Sequence, residues 1–246
     1  MTVRIAVLTS EGAPGLAALR LDPARGPIFE IAGVATVGRD VDRPPRNLRD
    51  REHYDAKLLE IVGDADYLLL ADYRYLVTQP LLDAFPGRII VLHDGDLTVM
   101  ANGRRAYSGL HAVRNAILSG DAVTRASAFV ATEETGEGPL LLLGPPYAVS
   151  ELATAAVERA NLADLALYVH LHRRWMVNDS YGVLLRKAAE LISLGTMHVA
   201  KDTVWVDGVP GPCRLGDAPN ACWSATRPPR RGIPGSCPFI QTEVQS

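Results

Sequence analysis

The stretch Arg88–Leu97, RIIVLHDGDL, decides how the rest of the chain is read. Its apolar residues Ile89, Ile90, Val91 and Leu92 run straight into His93 and Asp94, and the run breaks at Gly95. A continuous apolar run suits a strand covered on both faces, the habit of parallel sheets. Its end puts an imidazole and the acids Asp94 and Asp96 at a strand terminus, where open α/β sheets bind ligands.

Upstream, RIAVLTS (Arg4–Ser10), IFEIAGVATVG (Ile28–Gly38) and ADYLLLAD (Ala65–Asp72) are strand candidates. Between them a helix opens at about Leu16 after the turn EGAPG, a second lies in HYDAKLLEIVGD, and a third in QPLLDAF has proline near its start. This alternation predicts parallel strands joined by crossover helices. The polar, proline-interrupted RDVDRPPRNLRDREHYD predicts a loop.

Downstream, SGLHAVRNAILSGD predicts a helix ended by Gly120. RASAFVATEE and GPLLLLGPPY predict two strands joined by the acidic turn Glu133–Gly138. SELATAAVERANLADLALYVHLHRRWM predicts a long helix capped by Ser150, and SYGVLLRKAAELISLG another closed by Gly195. HVAKDTVWVDGVPG alternates like a hairpin, and the tail from Cys213 is rich in Pro, Gly and Arg without a period. The expected fold class is α/β. An open, mostly parallel sheet flanked by helices occupies residues 1–195, and a C-terminal extension of hairpin and irregular tail occupies 196–246.

The composition of the 246 residues, 48% hydrophobic and 22% charged, is that of an ordinary globular chain. A formal charge of −3 argues against a general nucleic-acid or membrane-surface binder. No secretion signal and no membrane span are expected. The cysteines, Cys213, Cys222 and Cys237, lack CxxC pairing, so reduced thiols in a cytoplasm are expected and a metal site is not. His170 and His172 stand two apart on a helix and face different ways, which does not suit metal ligation.

Five segments in order resemble the folate-dependent formyltransferase family, closest to its glycinamide ribonucleotide branch, over Arg4 to Leu194. These are VLTSEGAPGL, a Gly-rich first loop; LADYRYLV, where the family has a GFMRIL-like loop; and GRIIVLHDGDLT, where it has GRLLNIHPSLLP. GLHAVRNAILSGD stands where it has GLHTHRQALENGD, and AFVATEETGEGPLLL where it has VHFVTDELDGGPVIL. The resemblance implies transfer of a formyl group from 10-formyltetrahydrofolate, as one-carbon donor, to a small-molecule amine. It leaves a homodimer open.

The family uses an asparagine, a histidine two residues later and an aspartate in the acidic loop. His93 matches the histidine. Val91 stands for the asparagine and Gly136 for the aspartate, with Glu137 beside it. The resemblance therefore implies His93 as the main catalytic group, Glu137 as a replacement acid one methylene longer, and Asp94 as a group that orients or charges the imidazole. Tyr73, Arg74, Tyr75, Leu76, Val91, Glu133, Glu134 and Gly136 are expected around the pterin of the folate. Ser10, Gly12 and Gly15 are expected around the acceptor, where amides at a helix start can cradle a phosphate. Because Val91 has no side-chain donor, two other readings stay open. One is a folate- or ligand-binding protein without turnover; the other is a related acyl or carbamoyl transferase.

Overall fold

The protein is described by a computed structural model that covers residues 2–10, 14–19, 29–200 and 202–216. The Pro/Arg-rich stretch Arg227–Arg231, Cys222, Cys237 and Gly12 lie outside these residues.

The main sheet holds β1 (Val3–Thr9), β2 (Phe29–Thr36), β3 (Tyr67–Ala71), β4 (Ile89–His93), β5 (Ser127–Val130) and β6 (Leu140–Leu143). A hairpin of β7 (Met197–Ala200) and β8 (Thr203–Val206) follows, then the short β9 (Cys213–Arg214). The sheet order is β9-β6-β5-β4-β3-β1-β2. β2, β1, β3 and β4 are mutually parallel, as the apolar runs predict. β5 is antiparallel to both β4 and β6, and β9 rejoins the sheet parallel to β6.

The helices are α1 (Leu48–Val62), α2 (Gln79–Ala84), α3 (Ala112–Leu118), α4 (Glu151–Glu158) and α5 (Leu162–Ser193). Strand residues alternate between two cores. Ala6, Leu8, Leu68, Leu70 and Ile89 pack with Leu58 and Val62 of α1 and Leu81 of α2. Ile5, Val7, Leu69, Ile90 and Leu92 pack with α3, α4 and α5 on the other face. This period of two matters for the site, because it sends neighbours along β4 to opposite faces.

Two boundaries differ from the sequence reading. α1 starts inside the stretch read as a loop, because the Asn47 side chain caps it by accepting the Asp50 N–H at 2.9 Å. The break expected between Met176 and Ser180 is absent, and α5 runs unbroken for 32 residues. The interruption falls instead at Ala160, whose φ is +50°, with Asn161 capping α5. Asn178, Asp179 and Ser180 resemble a cap in sequence, but Ser180 is fully buried and the Tyr147 hydroxyl donates to Asp179 at 2.7 Å. Tertiary packing overrides local preference there. Among the described residues no helix is long and apolar enough to cross a membrane.

Gly15 serves the packing of α5. Its φ is +77°, and a Cβ there would stand 2.3 Å from the Gly182 nitrogen. The glycine of the first loop is thus required for close approach to the helix.

Candidate active site

β4 delivers His93 at its carboxyl end. Alternation puts Val91 and His93 on the α1/α2 side, and Leu92 and Asp94 on the α5 side. The His93 ring is half-buried, and its Nδ1 accepts the Gly95 N–H at 3.0 Å. That bond leaves the proton of the neutral ring on Nε2. Burial holds the ring below its ordinary range, against Asp94 and the carbonyls of Ser108 and Gly109, which favour the charged form. The loop is fixed behind it. Ser127, fully buried, donates its hydroxyl to the Gly95 carbonyl at 2.7 Å and accepts the Leu97 N–H at 3.2 Å.

Asp94 does not orient His93. Its carboxylate is held by Arg173 of α5, which also donates to Asp72 at 2.8 Å. Burial works against the Arg173 charge, but Asp94 and Asp72 more than offset it and raise its pKa. Arg74 lies 3.6 Å from Asp72, and Tyr181, fully buried, sits under the cluster. Asp72 adopts φ +54°, a left-handed turn at the end of β3. Asp96, the other acid of the loop, caps Thr98 and lies 3.7 Å from Arg125.

Beside this cluster opens a crevice of about 680 Å³ at the ends of β1 and β3. Ser10, Arg43, Arg74, His170, Arg173 and Arg174 are among its walls, and among the described residues Asp72 is its one acidic wall residue. The Ser10 hydroxyl accepts the Arg74 N–H at 3.4 Å, which ties the first loop to the loop after β3. The crevice lies where β1 has neighbours that leave in opposite directions, the usual ligand position in such sheets.

The loop from Tyr73 to Thr78 is fastened to α1. Arg51 donates to the Leu76 carbonyl and stacks over Tyr75, 5.4 Å from its centroid. Asp55, fully buried, accepts the Thr78 N–H at 2.8 Å and its hydroxyl at 2.7 Å. Thr78→Val keeps the shape but leaves Asp55 short of a donor. A loss of about 1–2 kcal/mol in chemical denaturation is expected. Tyr73, expected at the pterin, is a core residue, 6% exposed, with its ring edge-on to Tyr75 at 5.4 Å. Tyr75 and Val91 pack on the same core, and Leu76 is exposed.

The acidic turn leaves from the other end of β4, because β5 runs antiparallel and Val130 pairs with Ile90. It folds back so that Gly136 meets Ser108, the residue whose carbonyl also faces His93. Gly136 cannot stand in for an aspartate. Its φ is +76°, and a Cβ there would lie 3.0 Å from the Ser108 Cβ. Glu133 and Glu134 are exposed, and the Glu134 carbonyl accepts the Glu137 N–H at 3.1 Å. Glu137 is partly exposed, 3.9 Å from Arg105. Arg105 donates to the Gly136 carbonyl at 2.7 Å and the Gly138 carbonyl at 2.8 Å. Among the described residues no cluster of His, Cys, Asp and Glu could hold a metal ion. Arg173, Arg105, Arg51 and Asp55 were not expected from the sequence.

Residues 40–159 match the family described as formyl transferase. A methionyl-tRNA formyltransferase of Nitratidesulfovibrio vulgaris (strain DP4) is 33% identical over 105 residues, 43% of this chain and 28% of the relative's length. The chain therefore spans little more than a quarter of that protein. Among solved structures, glycinamide ribonucleotide transformylase 1 from Symbiobacterium toebii superposes with a TM-score of 0.59 at 22% identity, covering 83% of this chain and 94% of that one. A phosphoribosylglycinamide formyltransferase from Coxiella burnetii gives 0.60 at 17% identity, over 88% and 100%. A formyltetrahydrofolate deformylase from Pseudomonas putida KT2440 gives 0.61 at 15%, over 84% and 70%. At such identities the structural likeness shows the fold. The match to the formyl transferase family covers residues 40–159, just under half of the 246 residues.

Proposed function

We propose that the protein transfers a formyl group from 10-formyltetrahydrofolate to a small amine that also carries an anionic group. The observation that supports this best is His93, a neutral imidazole of fixed tautomer at the end of β4, one residue before Asp94, whose partner Arg173 lines an arginine-rich crevice. The amine nitrogen attacks the formyl carbon, and negative charge develops on the formyl oxygen. The Nε2–H of His93 donates to that oxygen. The intermediate collapses with cleavage of the bond to N10 of the folate, which leaves protonated. The proton lost by the amine passes, through solvent or Glu137, to the departing N10.

The donor's pterin would lie along the loop from Arg74 to Leu76, with Val91 as an apolar wall and the turn through Glu133, Glu134 and Gly136 as cover. Ser10 and Gly15 border the acceptor side, with Arg74 and Arg174 drawing the anionic end. Like the family reaction, this is expected in a cytoplasm.

A second reading, ligand binding without turnover, is favoured by Val91 and by the lack of room at Gly136. The test is release of tetrahydrofolate from 10-formyltetrahydrofolate in the presence of phosphorylated or neutral primary amines. Arg74→Gln is expected to raise KM for the phosphorylated amine about tenfold, the worth of one charge-assisted hydrogen bond, and to leave KM for the donor unchanged. Folate affinity without turnover would favour the binding reading. No folate affinity would remove both.

A further inference from the structure

We infer that Arg105 is a positioning residue of the donor site. It fixes the arc Gly136–Glu137–Gly138 against the segment that presents His93. The inference rests on the donor reading above.

Arg105 lies in a small antiparallel hairpin in which Met100 pairs with Arg105 and Ala101 with Arg104. Its side chain is only 10% exposed. A guanidinium this covered usually meets a carboxylate at close range. Here the nearest carboxylate, Glu137, is 3.9 Å from Nε, and two N–H groups go instead to the carbonyls on either side of Glu137. A planar fork can hold two carbonyls two residues apart; a lysine ammonium offers no such geometry.

The hairpin is itself tied back to the His93 loop. The Ala106 N–H donates to the Val99 carbonyl at 2.9 Å, and the Val99 N–H to the Asp96 carbonyl at 3.3 Å. Ser108, three residues past Arg105, touches Gly136 and faces its carbonyl to His93. One continuous set of contacts thus runs from His93 through residues 96–108 to the turn that carries Glu137. Gly136 and Gly138 have no room for side chains, since a Cβ on Gly138 would stand 1.8 Å from the Val130 carbonyl oxygen. The two glycines can therefore be held only through their backbone, and Arg105 supplies the hydrogen bonds to both of their carbonyls.

The experiment compares the full chain with Arg105→Lys and Arg105→Gln by hydrogen exchange, by titration with tetrahydrofolate and by steady-state KM for donor and amine. In Arg105→Gln, amides 133–138 are expected to exchange about tenfold faster while β1 and β3 are unchanged, as loss of a local hydrogen-bonded restraint predicts. Tetrahydrofolate binding and donor KM should weaken by a similar factor, with amine KM unmoved. Arg105→Lys should show the same pattern even if Arg105→Gln fails to fold. Unchanged exchange in the turn, or faster exchange everywhere, overturns the inference. So does a loosened turn with unaltered folate affinity. If the unmodified chain binds no tetrahydrofolate, the donor reading falls and takes this role with it, while a localised exchange change would still show the clamp.

Discussion

Acidification from pH 7 to about pH 4 is expected to cost the fold about 3 kcal/mol through His172 alone. This imidazole is 2% exposed on α5, and burial pushes its pKa down to about 4. Its partners suit the neutral form. Thr124 Oγ1 lies 2.8 Å from Nε2, and the Tyr168 hydroxyl lies 3.2 Å from Nδ1. With the Thr124 hydroxyl directed at Met176 sulfur, 3.4 Å away, Nε2–H donates to Thr124 and Nδ1 accepts from Tyr168. Tyr168 in turn accepts the Ser150 N–H at 2.7 Å, at the start of α4. In the unfolded chain an imidazole titrates near ~6.5. Between that pH and about 4 the unfolded chain holds a proton that the folded chain does not. Stability is therefore complete above the unfolded value and falls as the pH drops toward the folded one. Urea denaturation at several pH values, repeated on His172→Phe, separates this group from the carboxylates and from His93, which acts in the same direction. A variant with the same pH slope as the unmodified chain would show that His172 is not the source.

Much of the sheet was legible because period and run length are local. Ile89–Leu92 and Tyr67–Leu70 announce strands without help from the rest of the chain. The 178–180 segment misled because Asn, Asp and Ser favour caps, and only the fold reveals that Ser180 is enclosed. His93 was legible through its place at a strand end. The direction of Asp94 follows from the same period of two, yet the sequence does not say which partner waits on that face. Arg173 is the clearest case. In HLHRRWM it stands between buried His172 and exposed Arg174, and only the approach of α5 to the ends of β3 and β4 turns it into the counter-charge of two acids. Arg105 and Arg51 act on backbone carbonyls 31 and 25 residues away in sequence, and carbonyls leave no mark in a sequence.

Replacing His93 by alanine is expected to lower kcat for formyl transfer by about 10²–10³, the cost of removing one donor to a developing oxyanion. The effect should be near the top of that range, because Val91 supplies no second side-chain donor. KM for either substrate should change little, since the donor acts on charge that exists only in the transition state. The pH profile gives a second signature. The Gly95 N–H points at Nδ1, so protonating that nitrogen would set two donors against each other. Activity should therefore hold through neutral pH and decline only below the ordinary histidine value, in keeping with the lowered pKa. Gly95→Ala provides the control that keeps the imidazole but moves it. A Cβ at residue 95 would lie 2.4 Å from the Tyr107 carbonyl oxygen, 2.8 Å from the Ala112 Cβ and 3.1 Å from His93 Cε1. If placement of the ring matters and not its presence alone, Gly95→Ala should lose most of the same activity with His93 intact. Full turnover in His93→Ala would take the imidazole out of the mechanism. Full turnover in a folded Gly95→Ala would show that the ring's position, and with it the hydrogen bond that fixes its tautomer, does not govern the reaction.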